Sequence, residues 1–233
     1  MKIHSHIPVG EIAATIPHVT KLFDVLGIDY VLHGGLSLRD ACAEAGVDPV
    51  TVQQSIDALP RGDGEHPAWS DSSMQQMLDE LRDHRHPKLR TMLAETATAL
   101  ATVPAAGRPG IPALREAFAA LCDALQPHMT HEEHMLFPVI QHLEDCWTKN
   151  ERPSMQFVGG VMKPVAALVG EHSEIMDKLK LVHEAAGAID EDRICTEALD
   201  AVANLEHEIR EHIHLENNVL YPRATALEAA VAK

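Results

Sequence analysis

Basic residues are scarce in this chain of 233 residues. Lys and Arg total 19 against 35 Asp and Glu, for a formal net charge of -16. A surface of that sign does not grip a phosphate backbone, so nucleic acid is excluded as a partner. Aromatics make up only 3% of the residues, and no β-branched or aromatic run alternates in the way a strand requires. No uninterrupted apolar stretch reaches the ~18 residues of a membrane helix, so no membrane association is expected. The start, MKIHSHIPVGEIAATIPHV, is broken by Pro8 and Pro17 and contains no apolar core of signal-peptide length. The four cysteines, Cys42, Cys122, Cys146 and Cys195, form no CxxC. That excludes a thiolate zinc site and a disulfide scaffold, and predicts packing thiols in a reducing cytoplasm. Apolar residues reach 45%, enough to bury a core. What is abundant is histidine, at 16 residues.

The punctuation predicts a small helical module over 1–60, a Pro/Gly-rich linker over 61–70 and a four-helix bundle over 71–230. In the module, Thr20 to Leu26 stops at Gly27. Ser37-Leu38-Arg39-Asp40 reads as a capping box for a helix ending near Gly46. Asp48-Pro49 reads as an N-cap followed by Pro at the first helical position, opening a helix to about Leu59. In the bundle, breaks near 103–112, 144–160 and 186–192 separate four long segments of helical period. Short connections between such segments predict an all-α, up-down-up-down arrangement.

The apolar stripes of these helices are interrupted by polar residues. The second segment reads Leu114, Phe118, Leu121, Leu125, then His128 and Glu132, then Met135 and Val139. The third reads Val165, Leu168, Val169, His172, Ile175, Met176 and Leu179. The fourth reads Ile194, Ala198, Val202, Leu205, Ile209, then His212 and Glu216, then Val219. Steps of three, four and seven put all of them on the inward face. In the first segment the upstream stripe of Met74, Met77, Leu78 and Leu81 points to position 84 or 85, and the downstream stripe from Leu89 points to 86. His84 and His86 stand roughly 200° apart on an ideal helix, so only one faces the core, and Pro87 disturbs the helix beside them.

Residues 128–138 (HMTHEEHMLFP) and 212–222 (HIHLENNVLYP) share the pattern His-x-x-x-Glu-x-x-x-Leu-(Phe/Tyr)-Pro at an offset of 84. His86 and His172 repeat at an offset of 86, so the bundle reads as two similar hairpins. His86 to His128 is 42 residues, and His172 to His212 is 40, which returns each histidine to one level of an up-down bundle. Buried imidazoles and carboxylates need partners, and two glutamates facing one another repel. Divalent metal ions resolve both problems. Each HxxxE sets an imidazole and a carboxylate on adjacent turns, and two such motifs with two further histidines supply a dinuclear centre bridged by glutamates. Imidazole and carboxylate without thiolate suit iron, manganese or zinc, and an open position on iron suits a diatomic gas.

These motifs resemble the hemerythrin-like proteins. They are most similar to the bacterial di-iron proteins linked to repair of iron-sulfur clusters under nitrosative and oxidative stress. HPKLRTML from His86, together with HMTHEEHMLFP, GEHSE and HIHLENNVLYPRA, looks like that family's ligand segments. The resemblance implies His86, His128, Glu132, His172, His212 and Glu216 as ligands to two non-haem irons with an oxo or hydroxo bridge. Manganese or zinc are substitutes. It also implies nitric oxide or dioxygen as the gas and iron-sulfur proteins as partners. Met176 stands where the oxygen-carrying hemerythrins have a further histidine, so their pattern is not met. The N-terminal module also resembles the family's, which typically reads Asp-Tyr-Cys-Cys-Gly-Gly. Here Asp29 and Tyr30 are followed by Val31, Leu32 and His33 before Gly34 and Gly35, and both cysteines are missing. Beside the ligand segments, Glu171 reads as a relay or a solvated face, His183 as the lining of an access path or a boundary residue, and His131 and His214 as neighbours that support the ligands.

Overall fold

The computed structural model describes residues 3–16, 18–60, 69, 72–154, 160–190 and 194–231. The linker expected at 61–70 therefore lies, Trp69 apart, outside the described residues. All regular structure among the described residues is helical, with one isolated bridge between Pro8 and Ser37. The chain forms two compact units, Met1–Met77 with Arg210–Ala226, and Leu78–Ile209 with Leu227–Lys233.

The first unit opens with α1 (Val9–Thr15), α2 (Val19–Leu26), α3 (Leu38–Ala45) and α4 (Pro49–Ala58). The caps read from the sequence are in place. Ser37 accepts from the Asp40 amide at 3.2 Å, and Asp48 accepts from the Thr51 amide at 2.9 Å. Gly27 and Gly46 end their helices at φ 68° and 71°, where a side chain is strained. Helix α1 was hidden in the sequence because Pro8 looked like an interruption; it is instead the N-cap. Ile3, Val9, Ile12, Val19, Phe23, Tyr30, Leu38, Val52 and Ile56 form the buried core.

Tyr30 is fully buried, and its phenol pKa is raised far above the ordinary value. Burial is the main cause, and the neighbouring Asp24 and Glu211 carboxylates add to it. An unfolded tyrosine ionises near ~10, while this one stays protonated in the fold. Above that pH the unfolded chain therefore holds one proton fewer, and stability falls by about 1.4 kcal/mol per pH unit from this group. Urea unfolding between pH 9 and 11 should show this added slope in the wild type, and Tyr30→Phe should lack it.

The second unit is a four-helix bundle. Its first run continues from α5 (Met74–Asp79) through a π-helical stretch, π1 (Glu80–Arg85), into α6 (His86–Thr102). The second run is α7 (Gly110–His131), π2 (Glu132–Leu136) and α8 (Phe137–Lys149), and the third is α9 (Met162–Gly187). The fourth begins with α10 (Thr196–Leu215) and continues as π3 (Glu216–Leu220) and α11 (Tyr221–Val231), of which Arg210–Ala226 belongs to the first unit. Neighbours are tied in sequence. Arg115 of α7 donates to the carbonyls of Leu100, Ala101 and Val103, satisfying the open end of α6. On α9, Glu171 meets His128 and His131, and His183 meets Glu206 of α10 at 3.0 Å. Lys88 of α6 pairs with Glu208 at 2.6 Å and closes the circuit. The core between them is Leu89, Leu93, Leu100, Leu114, Phe118, Leu121, Leu125, Leu168, Ile175, Leu179, Val202, Leu205 and Ile209, all buried.

No disulfide joins the cysteines, and burial pushes the half-buried Cys122 thiol up to about 11, so it is unreactive at neutral pH. No helix among the described residues is long and apolar enough to cross a membrane.

Candidate metal centre

Three prolines shape the ligand-bearing turns. Pro87, Pro138 and Pro222 lack an amide hydrogen, and in a regular α-helix each ring would strike the carbonyl four residues back. The chain widens instead. The residue before each proline donates five positions back, His86 to Leu81, Phe137 to Glu132 and Tyr221 to Glu216. Each π turn inserts one residue and re-aims the side chains beyond it, a device common at functional sites. In two of the three, the carbonyl that accepts the wide bond belongs to a glutamate of the HxxxE motif.

The first π turn resolves the conflict between His84 and His86. The step from Leu81 to His86 is one π turn, which puts both residues inward; His86 is fully buried and His84 is exposed.

Within the second unit, His86, His128, Glu132 and His172 are all 0% exposed. One oxygen of Glu132, Oε2, lies 3.4 Å from His86 Nε2 and 3.5 Å from His128 Nε2. His172 Nε2 lies 3.0 Å from His128 Nε2. Donor atoms of His128, Glu132 and His172 all fall within 4.8 Å of one another. Within the first unit, His212 Nε2 lies 3.1 Å from Glu216 Oε1, and both side chains are buried.

The outer faces of two of the imidazoles, His86 and His128, are held by carboxylates. His86 Nδ1 is 2.7 Å from Glu133 Oε1, which also accepts from Arg90 at 2.9 Å. Burial pushes the Glu133 carboxyl up, but the hydrogen bonds from His86 and Arg90 outweigh it and hold it below the usual carboxylate range. His128 Nδ1 is 3.0 Å from Glu171 Oε2, whose other oxygen takes His131. A carboxylate at Nδ1 fixes the proton there and leaves the Nε2 lone pair for the inner side. Phe137 stacks on His86 with centroids 5.7 Å apart and locks the ring plane.

This arrangement fits a metal ion. Two ligands at roughly 2.1 Å from a cation, with angles of about 90° to 109°, stand about 3.0 to 3.4 Å apart. The separations of 3.0 and 3.4 Å fall in that range, and that of 3.5 Å lies just beyond it. The donor set is imidazole and carboxylate throughout, as hard and borderline divalent ions require.

Other sequence candidates fall elsewhere. His183 is exposed on Glu206, and His33 is exposed on Asp29 at 2.7 Å. His214 is buried in the first unit against the Tyr30 carbonyl. Glu133 was not singled out by sequence. An acid beside a ligand reads as a wet helix face, and the available signal was Arg90, one turn beyond His86.

The class of protein is set by these features: a helical bundle that carries a buried His/Glu metal site. Residues 77–224 match the hemerythrin HHE cation binding domain, and residues 6–60 match a domain of unknown function, DUF542. The chain belongs to the hemerythrin family. It is 29% identical over 230 residues to the proteins named iron-sulfur cluster repair protein YtfE of Escherichia coli and Escherichia fergusonii, covering 95% of this chain and 97% of each relative.

Proposed function

We propose that this protein is a di-iron protein of the nitrosative and oxidative stress response, which binds nitric oxide and supports repair of iron-sulfur clusters in the cytoplasm. The observation that carries the reading is the convergence of three imidazole Nε2 atoms and Glu132 Oε2 in a dry core, in a chain matching the YtfE repair proteins over 95% of its length. The proposed ligands are His86, His128, Glu132, His172, His212 and Glu216, the set that the resemblance of their segments implies. The repeated HxxxE supports this, because it gives each iron the same kind of donors. Glu132 and Glu216 would hold both ions. When bound, the iron pair supplies one-electron redox chemistry and an open position for a diatomic gas. The protein's part is to orient His86 and His128 through Glu133 and Glu171 and to exclude bulk water. Iron-sulfur proteins are the partners of this reading.

Anaerobic reconstitution with ferrous iron tests it. Two irons per chain are expected, followed by a change in optical and electron-spin spectra on titration with nitric oxide. A single iron, or spectra indifferent to nitric oxide, would overturn it. A second reading, reversible binding of nitric oxide or dioxygen without turnover, is favoured by the buried Val31 standing in the loop where the family carries its cysteine pair. Catalytic consumption of excess nitric oxide by the reduced protein excludes that reading, and stoichiometric uptake supports it.

A further inference from the structure

The segment that carries His212 and Glu216 presents a second face to the N-terminal module. Arg210 lies 3.9 Å from Asp24, and Glu211 accepts from Thr20 at 2.8 Å. His214 Nδ1 lies 3.3 Å from the Tyr30 carbonyl, and Asn217 donates to the Val31 carbonyl at 3.4 Å. Asn218 donates to both carbonyls, at 3.1 Å and 3.2 Å. These five residues trace a helical stripe, and the stripe of His212 and Glu216 runs beside it, about 100° around the helix.

The receiving loop is built for this contact. Asp29 Oδ1 accepts from the Val31 and Leu32 amides, both at 2.9 Å, in a turn that sets the peptide planes of residues 30 and 31. The Asn218 amide oxygen lies over two glycines. A Cβ at Gly10 would come within 2.7 Å of it, and one at Gly34 would overlap it outright. The two glycines are joined by the Gly10 amide, which donates to the Gly34 carbonyl at 2.8 Å. Close approach of a polar side chain to backbone is a specific use of glycine. Asn218 lies inside π3, two residues beyond Glu216, where the helix is already unwound by Pro222. A π turn has poorer internal bonding than an α turn and needs outside support to keep one geometry.

We propose that the N-terminal module is the positioning element of the metal centre. Its Asp29–Gly35 loop clamps Asn218, and Asn218 fixes the turn that presents His212 and Glu216. A module without its family's cysteines thereby keeps a function, because the clamp uses backbone carbonyls and glycines rather than thiols. The proposal rests on the assignment of His212 and Glu216 as ligands.

The test uses the full chain, reconstituted anaerobically with ferrous iron. Gly34→Ala drives a methyl group into the Asn218 amide, and Asn218→Leu keeps the branched side-chain shape but removes the donors. Both should lose ferrous iron to a chelator about tenfold faster than wild type, at the lower end of what outer-shell changes cost. Both should also shift the electron-spin signal of the one-electron-reduced pair, with far-ultraviolet dichroism unchanged. In an Asn218→Ala background, Gly34→Ala should add nothing, since the atom it strikes is gone. A change in fold alone would not produce that loss of additivity. Asn218→Leu decides the matter if Gly34→Ala folds poorly. Wild-type loss rates and wild-type signals in Asn218→Leu would overturn the clamp while leaving two irons per chain intact. Fewer than two irons in the wild type would overturn the ligand assignment, and the clamp with it.

Discussion

Glu132→Leu and Glu216→Leu should each reduce bound iron from two per chain to less than one, while the apoprotein becomes more resistant to heat. The two effects have one cause. Each glutamate is fully buried, and as a proposed bridge it serves both metals, so its loss removes a donor from each. Leucine suits the site in every other respect. It is a strong helix former of similar length, and its side chain meets no desolvation cost where a carboxylate does. Breaking a buried ion pair by removing one partner is usually harmful, but here the group removed is the one that metal-free burial penalises. The wild-type protein should therefore gain stability on adding iron, by about 2.7 kcal/mol at a free concentration a hundred times the dissociation constant. The leucine variants should show no such gain. Iron analysis after desalting, with melting curves in the presence and absence of ferrous iron, separates these outcomes. Retention of two irons in either variant sinks the bridging assignment.

Much of the centre was legible because an α-helix repeats so regularly. On α7 and the first residue of π2 the stripe Leu114, Phe118, Leu121, Leu125, His128 and Glu132 is buried throughout. It fails immediately afterwards. Met135, expected inward, is 61% exposed, and Leu136 and Phe137 are buried in its place. The cause is π2, which adds a residue to the turn and advances the inward face by one position. The proline that forces this was visible in both HxxxE repeats and beside His86. Its consequence was not, because an ideal period of 3.6 residues has no place for an inserted one. Two smaller misses remain. Val169 is 40% exposed while its neighbour Leu168 is buried, and Ile194 is 54% exposed because α10 starts two residues later and Cys195 takes the buried place.

The carboxylates that orient the imidazoles were harder to read. Glu133 and Glu171 each stand one residue from a ligand, which on a lone helix turns them roughly 100° from the core. Only the packing of α6 against π2, and of α9 against α7, brings them to an imidazole Nδ1. Sequence periodicity reports which way a side chain leaves its own helix. It does not report which neighbour closes over that direction, and outer-shell partners are defined by the neighbour.

His86 and His84 give the sharpest contrast in the first helical run. His86→Ala should lower iron affinity by more than a hundredfold, exceeding the ~10–100-fold that loss of an outer-shell partner costs. His84→Ala should leave it unchanged. The two residues are separated by a single position, and in an unbroken α-helix the upstream stripe through Leu81 would favour 84 or 85. The π turn before Pro87 decides between them. It carries the core register from Leu81 to His86, whose Nδ1 is held by Glu133, whose ring is stacked on Phe137, and whose Nε2 lies 3.4 Å from Glu132. Alanine at 86 removes all three contacts at once and leaves Glu133 facing Arg90 alone. Alanine at 84 removes an exposed ring from the far side of the helix. Iron titration with chelator competition measures both constants. Equal losses in the two variants, or a larger loss at 84, would show that the register keeps to the ideal helix and that the π turn does not set the site.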